Sequence, residues 1–195
     1  TLLPEVKDLK NQFWILLILF VYTAFNSARF SSDGTVRRKT NYLRHSYATS
    51  RARYGREISS LATDDLSESL AYSVLMYEQF NRPAWVRLFE RLVFPWGSRS
   101  LGPMQVKTNS RITDIESVRT GARHLMQLYA DALRDGAKKA AVRSLPFDPV
   151  KNSSHRQFVT YRVASGYNKD DDYLSGISGM HQQLVDLLYP SLRFS

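Results

Sequence analysis

The 195-residue chain contains no cysteine. That removes disulfides, thiolate metal sites and cysteine nucleophiles together. It leaves the compartment open, because a protein outside the cytoplasm can be stable without disulfides. Histidine is nearly as scarce: His45, His124, His155 and His181 are scattered, with no HxxxH or similar spacing. No metal site and no cofactor is expected on that basis. No strand pattern alternating with period two runs for any length, and there is no internal repeat. Acidic charge is short as well, with 18 Asp and Glu against 27 Lys and Arg, a formal net charge of +9. What is present, 43% hydrophobic and 23% charged residues, suffices for one compact domain with a real core.

The excess positive charge is uneven. Between Arg29 and Arg56 the basic residues Arg29, Arg37, Arg38, Lys39, Arg44, Arg51, Arg53 and Arg56 face a single acid, Asp33. Such a segment suits a polyanion: nucleic acid, acidic lipid headgroups or an anionic wall polymer. Its Ser, Thr, Asn and Gly content equally suits a solvated linker. Upstream, FWILLILFVYTAF over residues 13–25 has Thr23 as its clearest polar residue. The run is shorter than the roughly 20 residues that cross a bilayer, and the positive charge following it would be held in the cytoplasm. Two readings stand, a membrane anchor or export segment and a helix buried in the fold or against a partner. The expected organisation is a hydrophobic N-terminal helix over 1–30, a basic linker or arm over 31–60, and a helical domain over 61–195.

Helical signals dominate from residue 57. Asp64 and Asp65 are N-cap candidates for a helix over 66–80 that stops at Asn81, Arg82 and Pro83. Trp85, Leu88, Phe89 and Leu92 predict a second helix over 85–93, and FPWGSRSLGP, residues 94–103, reads as loop. Thr113 to Glu116 form a capping box, Ile115, Val118, Ala122, Leu125, Met126, Tyr129 and Leu133 follow at helical spacing, and Gly136 is expected to end or loosen that helix. Two more helices are expected over 156–165 and 173–188. The class is mainly α.

One residue interrupts this pattern. In AYSVLMYEQFNRP, residues 71–83, Glu78 falls on the side of Ala71 and Val74, at the border of the stripe formed by Leu66, Leu70 and Tyr77. A carboxyl held there loses hydration and keeps its proton near neutral pH, as a general acid must. The alternative is an i,i+4 pair with Arg82 on a solvated face.

Two later segments bear on the choice. SRSLGPMQV contains Ser100, Gly102, Met104 and Gln105, and VASGYNKDDDY contains Tyr167 and Asn168. The order, a glutamate on a helix, then Ser100, Gly102, Met104 and Gln105, then a Y-N pair, resembles the lytic transglycosylases of the goose-type lysozyme-like superfamily over roughly residues 62–188; that family's second segment has the form S-x-x-G-x-M-Q, and here the serine stands one residue nearer the glycine. TGARHLMQLY, residues 120–129, is similar to that family's helix after the M-Q motif. Three features depart from the pattern: the long Glu78 to Gln105 interval, Pro103, and Lys169 after the Y-N pair.

The resemblance implies a lysozyme-like helical domain that cleaves the MurNAc-GlcNAc β-1,4 bond of peptidoglycan. Glu78 would be the single acid and base, and the C6 hydroxyl of MurNAc the nucleophile, leaving a 1,6-anhydro product. Tyr167 would orient Glu78; Asn168 and Gln105 would hold sugar groups; Ser100, Gly102 and Met104 would complete the substrate-binding segment. Gly102 would let backbone approach the glycan. Trp96 and Tyr173 are candidates for stacking on sugars or for the core. The implied partners are peptidoglycan strands at the cell envelope, on the periplasmic side of the inner membrane or secreted. Residues 13–25 are the candidate membrane contact, and a secretion, conjugation or phage machine is a fitting setting. Two other functions stay open: a lysozyme-type hydrolase, which needs a second carboxylate, and a non-enzymatic basic module for nucleic acid or anionic membrane. No specific nucleic acid is expected, as no helix-turn-helix or similar signature is present.

Overall fold

The computed structural model describes residues 35–81, 100–107 and 112–193. The chain is mainly α among them: α1 (Thr35–Ser59), α2 (Asp65–Asn81), α3 (Asp114–Val142), α4 (Ser153–Tyr167), α5 (Asp171–Leu188) and a closing 3-10 turn, Pro190–Leu192. Between α2 and α3 a two-residue antiparallel ladder, β1 (Ser100–Leu101) with β2 (Val106–Lys107), pairs Ser100 with Lys107 and Leu101 with Val106. It is too short to leave a period-two signature. The hydrophobic run at 13–25, the helix expected over 85–93, and Trp96 lie outside the described residues. Among the described residues no helix is long and apolar enough to cross a membrane.

The chain divides into two compact units, Thr1–Tyr42 and Leu43–Ser195. Of the first, residues 35–42 are described, and they form the opening of α1. The second unit therefore starts inside the segment expected as a basic linker, which is helical from Thr35 to Ser59. Leu43, Tyr47, Tyr54 and Ile58 are spaced at four and seven residues and are all buried, so one side of α1 is a core face. Arg44, Arg53 and Arg56 occupy exposed positions of the same helix. The count of arginines had masked the apolar spacing between them.

Helix α2 is the centre of the larger unit. From Leu66 to Met76 every residue except Glu68 is buried. A helix buried on all sides carries no strong amphipathic signature. Its serines are tolerated because each returns its proton to its own helix: Ser69 Oγ donates to Leu66 O at 2.9 Å, and Ser73 Oγ to Ser69 O at 2.7 Å. Asp64 caps the helix, accepting from Ser67 N at 2.7 Å, and its other oxygen accepts from the Tyr129 hydroxyl at 2.8 Å. The cap of α2 is thereby tied to α3. On the α1 side, Tyr47 meets Tyr72 edge-on with centroids 4.8 Å apart and shares a 3.0 Å hydrogen bond with the Tyr189 hydroxyl.

Helix α3 starts with the expected capping box of Thr113 and Glu116. It does not end at Gly136 but runs on to Val142. A Cβ at position 136 would collide with the Phe147 ring, so this glycine is a packing notch for the chain returning after the helix. Asn152 caps α4, accepting from Ser154 N at 2.9 Å and His155 N at 3.1 Å. Asp170 caps α5, accepting from Tyr173 N at 3.0 Å. Helices α3, α4 and α5 pack in succession, and α5 also covers α2.

A buried histidine joins three of these helices. His181 on α5 lies 2.9 Å through Nε2 from Ser69 Oγ on α2, and 3.0 Å through Nδ1 from Thr160 Oγ1 on α4. Burial, with the Arg156 cation second, pushes its pKa down to about 3, so the ring is neutral.

Two predictions follow from this packing. Below pH 6.5 the unfolded chain binds a proton that native His181 refuses, so stability is full above that pH and is lost as pH falls toward 3. The loss attributable to this residue approaches about 1.4 kcal/mol per pH unit in that window. Urea unfolding of wild type and His181→Gln between pH 7 and pH 4 is expected to show a steeper decline for wild type; parallel curves would contradict it. For the cap, Asp64→Ala is expected to cost about 2 kcal/mol and Tyr129→Phe about 1 kcal/mol. Both are measured by the same unfolding, with a non-additive double variant.

Candidate active site

Glu78 sits in the last turn of α2 and is only 5% exposed. The apolar residues four and seven positions earlier, Val74 and Ala71, are fully buried, so the glutamate lies inside the core face and not on a solvated one. The partner of the alternative reading, Arg82, is outside the described residues.

The segment after the ladder's first strand reaches this carboxyl. Residues 102–105 form a turn closed by Gln105 N donating to Gly102 O at 3.2 Å. Two of its residues have left-handed backbone, Gly102 at φ 78° and Gln105 at φ 46°. That conformation aims the Gln105 amide at α2, where Nε2 donates to Glu78 Oε2. The turn is seated on α3 by a close approach of backbone. Met104 N donates to Ser117 Oγ at 3.3 Å, and a Cβ on Gly102 would collide with the Ser117 side chain. One turn further along α3, a Cβ on Gly121 would stand 2.7 Å from Met104 Cβ and 3.2 Å from the Tyr167 hydroxyl. Two glycines therefore let the turn settle into α3 deeply enough for Gln105 to reach Glu78.

Tyrosines close the other side. The Tyr167 hydroxyl, at the end of α4, donates to Met104 O at 2.6 Å. The Tyr173 ring, in the first turn of α5, lies parallel to Tyr167 with centroids 6.3 Å apart and edge-on to Tyr77 at 5.3 Å. Burial first, and then the nearby Glu78 charge, push the hydroxyl pKa of both Tyr167 and Tyr173 up. Both phenols stay protonated at any ordinary pH. The His124 ring covers Tyr167 from outside, 5.9 Å away and tilted by 36°.

Glu78, Gln105, Met104 and Tyr167 thus meet, although 27 positions separate Glu78 from Gln105 and 63 separate Met104 from Tyr167. Their individual contributions differ from expectation. Tyr167 gives its proton to the Met104 carbonyl, so it anchors the turn. Met104 is fully buried and supports the turn from beneath. Gly102 makes room for the Ser117 side chain. Asn168 ends α4, exposed, and its side-chain oxygen accepts from Asp170 N at 3.1 Å. Its side chain shapes the turn into α5. Ser100 pairs through its backbone with Lys107 in the ladder.

Sequence reasoning had not singled out Ser117 and Gly121, which receive the turn, nor the hydroxyl of Tyr173. The available signal was spacing, since Ser117 and Gly121 are small residues one helical turn apart. A separate cleft of about 440 Å³, lined by Leu128, Tyr161, Arg162, Gly166, Lys169 and Leu174 among others, includes none of the expected site residues. Among the described residues no group of three His, Asp or Glu is placed to hold a metal ion. No protein-family model, curated protein or solved structure matches the chain.

Gly102→Ala is expected to cost about 2 kcal/mol or more, from left-handed strain together with the collision at Ser117. Denaturant unfolding measures it. A near-neutral result would show that the turn does not depend on this approach.

Proposed function

We propose that the protein is a peptidoglycan lytic transglycosylase with Glu78 as its acid and base. The observation that carries this reading is the buried Glu78 carboxyl receiving the Gln105 amide, on a turn that Tyr167 anchors. The sequence segments that resemble the transglycosylase motifs thus converge around one carboxyl.

The chemistry needs one protonated carboxyl at the scissile bond. Glu78, almost wholly removed from water, gives its proton to the glycosidic oxygen as the C1–O bond breaks. The C6 hydroxyl of the same MurNAc closes on C1, and its proton returns to Glu78. Atoms balance without water: one C–O bond is lost, one is formed, and the acid is regenerated. Gln105, donating to Glu78 Oε2, steadies the carboxylate in between.

The hydrolytic alternative requires a second carboxylate about 5–10 Å from the acid. Several candidates have other work. Asp64 and Asp170 cap helices, and Asp114 pairs with Arg53 at 3.4 Å. These engagements favour the single-carboxylate route. The exposed arginines of α1 suit an anionic wall polymer, and the cell envelope is the setting this reading implies.

Purified peptidoglycan incubated with wild type is expected to release products ending in 1,6-anhydro-MurNAc. Glu78→Gln is expected to lower the rate by a factor of 10² or more, the scale for losing a general acid, with the fold intact by circular dichroism. Mass spectrometry of the soluble products reads the result. Reducing-end products would indicate a hydrolase. Salt-dependent DNA binding indifferent to Glu78→Gln, with no glycan release, would favour a basic binding module.

A further inference from the structure

Among the described residues three buried side-chain oxygens have no hydrogen-bond partner: Glu68 Oε1, Tyr72 OH and Tyr173 OH. A buried polar atom left unpaired is destabilising and calls for a reason. The first two lie on the α1 side of α2. The third stands at the candidate active site.

Tyr173 is 6% exposed. Its ring is held edge-on by Tyr77 at 5.3 Å and face-on by Tyr167 at 6.3 Å with the planes 6° apart. The Tyr77 hydroxyl in turn donates to Asp172 O at 3.3 Å, next to Tyr173 in sequence. A Cβ on Gly176 would collide with the Tyr77 ring, so the glycine lets Tyr77 and α5 pack this closely. These contacts fix the direction of the hydroxyl, which stands near enough to the Glu78 carboxyl to couple to it while falling short of a full hydrogen bond. The two tyrosines beside Glu78 differ in one respect. Tyr167 has already given its proton to Met104 O, whereas the Tyr173 proton is uncommitted.

We propose that Tyr173, and not Tyr167, is the positioning residue of Glu78, its hydroxyl donating to the carboxylate once that group has released its proton. The acid is then held from two sides, by Gln105 from the turn and by Tyr173 from α5. A small rotation of Glu78 engages the bond, and the otherwise unpaired phenol is satisfied only in the charged state. Tyr173 thereby favours the anion that must wait for the returning proton. The inference deepens the proposed activity, yet its physical content does not require that activity.

The test is a carboxyl-carbon NMR titration of Glu78, in protein labelled with ¹³C at glutamate Cδ, for wild type, Tyr173→Phe and Tyr167→Phe. Tyr173→Phe keeps the ring and its packing, and the melting temperature of each variant is recorded alongside. The expected result is an upward shift of the Glu78 midpoint by about one pH unit in Tyr173→Phe, tenfold in its dissociation constant. Tyr167→Phe is expected to produce a smaller shift. A midpoint unmoved in Tyr173→Phe, with a higher melting temperature from loss of an unpaired buried hydroxyl, would overturn the proposal and leave Tyr173 as packing. Muropeptide release is scored separately. If wild type releases none while the titration shifts as expected, the transglycosylase reading fails and the Tyr173–Glu78 coupling stands.

Discussion

Everything at the candidate site depends on the burial of α2 from Leu66 to Met76, which continues through Glu78 on one face. A helix with one solvated face would let a glutamate turn outward, and its carboxyl would then be one more surface charge. Here Val74 and Ala71 beneath Glu78 are fully buried, and α5 lies against the same helix. The carboxyl has to be satisfied from within the protein. The Gln105 amide does this, and it arrives only because the 102–105 turn can sink into α3.

The small residues of α3 are consequently as important as the polar ones around Glu78. Ser117 accepts Met104 N and fills the place where Gly102 lacks a side chain. Gly121 leaves room for Met104 and for the Tyr167 hydroxyl. The site is therefore assembled by backbone approach, with the hydrogen-bonding groups following. Its geometry is set by rigid helices, α2, α3 and the ends of α4 and α5, and the turn is clamped between them. The same economy appears at Gly136 against Phe147 and at Gly176 against Tyr77. In each case a missing Cβ brings two elements close enough for an aromatic ring to fill the gap.

Local signals carried much of this into the sequence. The Thr113–Glu116 capping box and the Asp64 cap were legible because a cap is a relation among residues three or four apart. Glu78 was legible as an intrusion into an apolar helix, through Ala71 and Val74 at helical spacing. What could not be read depends on partners distant in the chain. Gly136 looks like a helix end until Phe147 is placed against it. The linker-like composition of 35–59 hid a core face whose apolar residues are only Leu43, Tyr47, Tyr54 and Ile58. His181 gave no sign that Ser69 and Thr160 would enclose it. The division of labour between Tyr167 and Tyr173 rests on a backbone carbonyl at Met104, to which no sequence motif points.

The central claim is that Glu78 cleaves glycan without water entering the product. The most direct measurement is digestion of peptidoglycan by the protein in H₂¹⁸O, followed by mass spectrometry of the released muropeptides. The account predicts products one water lighter than reducing-end muropeptides and free of ¹⁸O at MurNAc C1. Incorporation of a solvent oxygen at that carbon in newly formed ends would contradict it.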